Sequence, residues 1–76
     1  MNNAQTAQVI KSELKIKNIS ISKMLEDCAL TKSLIYDLEK RNSTPSAEVF
    51  EKIADYLDVS VDYLLGRTDK PDSHKN

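Results

Sequence analysis

Apolar residues recur along this chain at spacings of three and four, the period of a helix that turns one face to a core. They do so in five groups. Val9, Ile10 and Leu14, with Ile16, predict a first helix from about Thr6 to Lys17, its solvent face carrying Lys11, Lys15 and Lys17. Met24, Leu25 and Cys28 predict a second, starting at Ser20 or Ser22, either of which can cap it. Ala29-Leu30-Thr31 breaks the pattern, and Leu34, Ile35 and Leu38 restart it in a third helix from about Lys32 to Lys40, with Thr31 placed as its N-cap. Val49, Phe50, Ile53, Ala54 and Leu57 form the clearest stripe, a fourth helix capped by Ser46, with Glu48, Glu51, Lys52 and Asp55 on the outer face. Ser60 caps a fifth, Val61 to Leu65, which Gly66, the sole glycine, closes.

The second and third of these helices are too short to stand alone in water, so the pattern implies a compact all-α bundle of five short helices around one core. Asn18 suits the end of the first helix because it tolerates a left-handed backbone. The segment from Arg41 to Ser46 is a loop by composition and by Pro45. Residues 1–5 read as a flexible lead-in, 6–66 as the folded domain, and 67–76, which lack apolar content, as a disordered tail.

Seventy-six residues hold one domain with a small core. A single cysteine cannot form an internal disulfide, which fits a reducing compartment. The N-terminal stretch has no apolar run of the length a signal peptide or membrane span requires, so a soluble cytoplasmic protein is expected. The formal net charge is −1, against the basic balance common in nucleic-acid-binding domains. The charge is unevenly placed: residues 1–45 sum to +2 and residues 46–76 to −3. Such a polarity lets one end face a polyanion while the other faces away, and it equally describes two ordinary solvated surfaces.

Catalytic chemistry is excluded by its parts. Cys28 lies on an apolar helical face, as a small buried hydrophobe does. His74 stands alone, without partners at metal-ligand spacing. The acids Glu48, Glu51, Asp55 and Asp58 read as a solvated helical face, and no glycine-rich phosphate loop or nucleophile-base pair occurs. No enzyme activity, cofactor or metal is expected.

The two-helix stretch from Ser20 to Glu39, the loop ending Thr44-Pro45-Ser46 and the segment EKIADYLDVSVDYLLGRTDKP at residues 51–71 together resemble the lambda-repressor-like helix-turn-helix proteins of the Cro and phage-repressor type, the XRE family. The resemblance covers nearly all of the folded chain. It implies a sequence-specific DNA-binding transcriptional regulator, a small repressor of phage or mobile-element type, whose third helix lies in the major groove of double-stranded DNA. The base-contacting residues it implies are Lys32, Ser33, Leu34, Tyr36 and Asp37: Lys32 donating to guanine, Asp37 accepting from cytosine N4, and Leu34 touching a thymine methyl. Phosphate contacts fall to Ser22, Lys23, Lys40, Arg41, Asn42 and Ser43. Tyr63 and Leu65, surplus apolar residues of the last helix, are the implied contacts of a homodimer, formed in solution or only on DNA.

Five positions depart from that family's pattern. Ile21 stands where a glutamine usually meets a phosphate, Leu25 where a small residue is usual, Ala29 at the usual glycine of the turn, Arg41 at a common glycine after the third helix, and Asp37 where a polar or basic group is common. They define the alternative from another class: a protein-interaction module of the same fold, antitoxin-like or partner-binding, with little affinity for DNA.

Overall fold

The computed structural model describes residues 3–71. Five helices follow in order: α1 (Asn3–Ile16), α2 (Ile21–Asp27), α3 (Leu34–Lys40), α4 (Ala47–Leu57) and α5 (Val61–Leu64). No strand occurs among the described residues. The all-α bundle of five helices is therefore observed, with α1 packed on α3 and α5, and α4 packed on α5.

The core is built from the predicted stripes. Ile10, Leu14, Met24, Leu38, Ile53, Leu57 and Leu64 are the large apolar side chains fully withdrawn from solvent, joined by Leu25, Ile35 and Phe50. Ile16 is the exception among the residues offered to the core: it is 75% exposed. Two residues beyond Leu14 it has rotated by about 200° around the helix, onto the far side.

Three helices start as the serines suggest. The hydroxyls of Ser20, Ser46 and Ser60 accept from the amides of Lys23, Val49 and Tyr63 at 3.0, 3.4 and 3.0 Å, each satisfying a donor that has no partner within its helix. Ser20, not Ser22, caps α2. The third helix differs from expectation. It begins at Leu34, two residues later than the pattern predicts, and no side chain caps it. Thr31 enters through its carbonyl, which accepts from the Leu34 amide at 3.2 Å in a tight lead-in turn.

Four helices end alike. After α1, α2, α4 and α5 the residues Asn18, Ala29, Asp58 and Gly66 take left-handed backbones with φ of 59°, 56°, 58° and 78°. In each case the next amide reaches back five residues: Ile19 to Leu14, Leu30 to Leu25, Val59 to Ala54 and Arg67 to Asp62, at 2.8–2.9 Å. This is the Schellman arrangement, which satisfies the orphan carbonyls of the last turn. It turns the chain sharply without a long loop, and so allows five helices in so few residues.

Both ends of the domain reach further than the pattern predicts. Asn3 to Gln5, expected as part of a flexible lead-in, belong to α1, and buried Asn3 donates from Nδ2 to Thr44 Oγ1 at 3.0 Å. Residues 67–71, expected as the start of a disordered tail, fold back on α5: the Ser60 amide donates to the Pro71 carbonyl at 3.1 Å. Residues 72–76, with His74, lie outside the described residues. No helix of the described residues is long and apolar enough to cross a membrane.

Candidate nucleic-acid interface

The face proposed from sequence is carried by α2, the turn at Ala29 and α3. α2 buries Met24 and Leu25 and presents Ser22, Lys23 and Glu26 to solvent. Its far end is tied to α4: the Tyr56 hydroxyl donates to Asp27 Oδ2 at 2.6 Å, and Lys23 Nζ lies 3.3 Å from Asp27 Oδ1. The charges respond to this contact. The Tyr56 hydrogen bond, then Lys23, holds the Asp27 carboxyl below its ordinary range, and the same bond pushes the Tyr56 phenol up to about 12. Next to it, burial raises the Cys28 thiol above its usual value, so it stays protonated; it is half-buried, with Sγ 3.9 Å from the Lys52 carbonyl. That is the small, inert side chain the sequence suggests.

α3 turns Leu34, Ile35 and Leu38 into the core. Leu34, expected at a thymine methyl, is thus placed among the buried side chains, only 9% exposed, which does not favour that role. Leu34 and Leu38 stand four apart on one side of the helix, so both follow Ile35 inward. The helix is fixed to α1 through Glu39, which accepts from Lys11 and Gln8. Its outer side is the exposed surface expected. Lys32 and Ser33 sit in the lead-in turn, Tyr36 is 54% exposed, Asp37 is half-buried, and Lys40 is exposed. Arg41, Asn42 and Ser43 follow at the helix exit, all exposed.

Along this side runs a row of side chains spaced four apart. Ser33 Oγ donates to Asp37 Oδ2 at 3.0 Å, and Arg41 Nε stands 3.8 Å from Asp37 Oδ1. The Arg41 guanidinium carbon also lies 5.8 Å from the centre of the Tyr36 ring. Lys32 and Lys40 have no ion-pair partner among the described residues. Ser33 and Asp37 share the outer stripe expected from spacing, but the link of Arg41 to Asp37 was not anticipated, because Arg41 was expected in the loop that follows. The Asp27–Tyr56 and Glu39–Lys11 links had no signal in the sequence, because their partners lie 29 and 28 residues away.

The departures from the family pattern resolve locally. Ile21 is half-buried against the core and offers no side-chain donor. Leu25 is buried, and Cys28 packs beside the same core. Arg41 has φ of −105° and needs no glycine; the left-handed residue after α3 is Asn42, with φ of 52°. Ala29 alone takes a left-handed backbone without a side chain suited to it.

Of the two residues offered for a dimer, both are half-buried within the chain. The Tyr63 hydroxyl donates to Glu13 Oε2 at 3.1 Å, and buried Glu13 also accepts from Lys17. Leu65 packs at the edge of the core. No group of three or more His, Cys, Asp or Glu able to hold a metal ion occurs among the described residues.

A short helix capped by serine, a left-handed turn and a second short helix with an exposed polar side are the parts of a helix-turn-helix. Residues 10–64 match the family described as helix-turn-helix, and the chain belongs to it: the Cro and phage-repressor type, a family of DNA-binding transcription regulators. Among its relatives is the HTH-type transcriptional regulator SinR of Bacillus licheniformis, 38% identical over 64 residues that cover 83% of this chain and 58% of the relative. The chain thus spans less than two thirds of that relative's length. No solved structure gives a significant match.

Proposed function

We propose that this chain is a sequence-specific DNA-binding transcriptional regulator, acting in the cytoplasm as a small repressor of the phage or mobile-element type, with α3 as its reading helix. The observation that carries the reading is the outer side of α3: a half-exposed aromatic, Tyr36, among side chains of hydrogen-bonding chemistry, with Lys32 before it and Lys40 and Arg41 after. Lys32, Ser33, Tyr36 and Asp37 meet base edges, and Ser22, Lys23, Lys40, Arg41, Asn42 and Ser43 meet phosphates. The relative's designation as a transcriptional regulator supports the same reading.

Magnitudes favour it despite the net charge of −1. Lys23 and Arg41 are paired within the chain, but exposed pairs four apart on a helix are worth only about 0.3–0.5 kcal/mol. A phosphate can replace such a partner at small cost. Two copies joined through Leu65 and Tyr63 would set their reading helices about 34 Å apart, one turn of a palindromic site.

The test is an amide NMR titration with mixed-sequence duplex at low salt. The expected outcome is shifts confined to Ser22, Lys23, 32–37 and 40–43 that vanish as salt rises, because phosphate contacts release counterions. A spectrum unmoved by duplex would overturn the proposal and turn the search to protein partners.

A further inference from the structure

The row Ser33–Asp37–Arg41 has a property that reading DNA does not require. Both oxygens of the Asp37 carboxylate are engaged by side chains expected to serve the DNA: Oδ2 by the Ser33 hydroxyl at 3.0 Å, Oδ1 by Arg41 Nε at 3.8 Å. Arg41 is held further by the Tyr36 ring, 5.8 Å from its guanidinium carbon. An acid and a base on one row cancel, so this part of the surface presents no net charge to phosphates.

We infer, resting on the proposal that α3 reads DNA, that Asp37 is a specificity-determining residue which positions Ser33 and Arg41 and holds down affinity for DNA of arbitrary sequence. The chemistry is selective. A carboxylate accepts hydrogen bonds and donates none, so at a base edge it gains from the amino groups of cytosine or adenine and is repelled by the carbonyls of guanine and thymine. With acceptor sites to spare it can keep the Ser33 hydroxyl while taking a base amino group. Where no amino group is offered, its charge opposes the pull of Arg41 on the backbone.

Four proteins decide the matter: wild type, Asp37→Asn, Arg41→Ala and the double variant. Binding is measured against salt on a mixed-sequence duplex and on a duplex selected from random sequence. Asp37→Asn keeps the shape of the side chain and removes its charge. It is expected to bind the mixed duplex about three- to tenfold more tightly, with a log–log salt slope steeper by about 0.9, one additional phosphate's worth of counterions. Preference at one base pair of the selected site falls in parallel. Adding Arg41→Ala cancels the gain.

A second reading needs no DNA. The Arg41 Nε–H resonance should shift in Asp37→Asn, as the ion pair to the carboxylate is lost. An unchanged resonance, or a mixed-duplex affinity and slope that Asp37→Asn leaves unchanged where wild type does bind, would overturn this inference alone. A wild type that binds no duplex overturns the DNA reading and this inference with it.

Discussion

At the scale of the residue, Ala29 is the clearest site of unrelieved cost. Its φ of 56° places an L-residue with no polar side chain in the left-handed region, at about 1–2 kcal/mol. Glycine there removes the strain but loses more entropy on folding, at about 0.5–1 kcal/mol. Ala29→Gly is therefore expected to stabilise the protein by about 0.5–1 kcal/mol, and chemical denaturation should show a raised midpoint with an unchanged slope. A lowered midpoint would mean that the alanine methyl makes contacts worth more than the strain. Lys32 and Lys40 test the reading side chain by side chain. Lys32→Ala is expected to cost about 1–3 kcal/mol on the preferred site and to relax the choice of one base, while Lys40→Ala weakens all sequences alike. Competition binding against single-base variants of the selected site separates the two. The outer positions Lys32, Ser33, Tyr36, Asp37 and Lys40 and the apolar stripe of Leu34, Ile35 and Leu38 followed from helical spacing, whereas the pairing of Arg41 with Asp37 did not, because Arg41 was expected in a loop and instead caps the end of α3.

At the scale of the element, much of the fold was legible, because helix periodicity is local. The stripe of α4 and the serine caps of α2, α4 and α5 needed only neighbours within one turn. What escaped was set by distant partners. Asn3 joins α1 because its side chain meets Thr44, 41 residues on, and residues 67–71 fold back because the Ser60 amide finds the Pro71 carbonyl. The α2–α4 link is of the same kind and yields a dependence on pH. Asp27 has a folded pKa below its unfolded value, so its share of stability is present above about pH 3.9 and is lost as pH falls through the folded value. Tyr56 has the opposite sign: its pKa is raised from 10.0 to about 12, so its share is complete below pH 10 and disappears as pH rises through 12. Tyr56→Phe should lower the denaturation midpoint near neutrality, and the gap from wild type should close toward both extremes. A gap that stays constant with pH would assign the loss to packing instead of the hydrogen bond.

At the scale of the whole molecule, one small core supports the proposed reading face on one side and α4 and α5 on another, and the positive excess of the chain's first 45 residues lies on α1 and its end instead of on that face. The +2 of residues 1–45 is carried by Lys11, Glu13 and Lys15 of α1 with Lys17 just past it, whereas residues 20–45, which include the proposed reading face, balance four cations against four acids, and residues 46–76 sum to −3. On the proposed function, a single copy offers a limited number of phosphate contacts, so affinity for a palindrome would depend on a second copy. The remaining apolar surface of α5 is modest, since Tyr63 and Leu65 are half-buried and the Tyr63 hydroxyl is already engaged by Glu13. On the same proposal, the dimer contact would be weak and completed when DNA holds both copies side by side. Leu65→Asp places a charge in that contact. Sedimentation equilibrium is expected to show wild type self-associating at high concentration and the variant monomeric, with the variant's helix content and thermal midpoint checked to establish that it folds. On a palindromic duplex, wild type should bind with two copies cooperatively. The variant should retain the affinity of a half-site and lose the cooperativity, because the proposed function places Leu65 away from both base and phosphate. A folded variant that still binds a palindrome cooperatively would move the dimer contact away from α5.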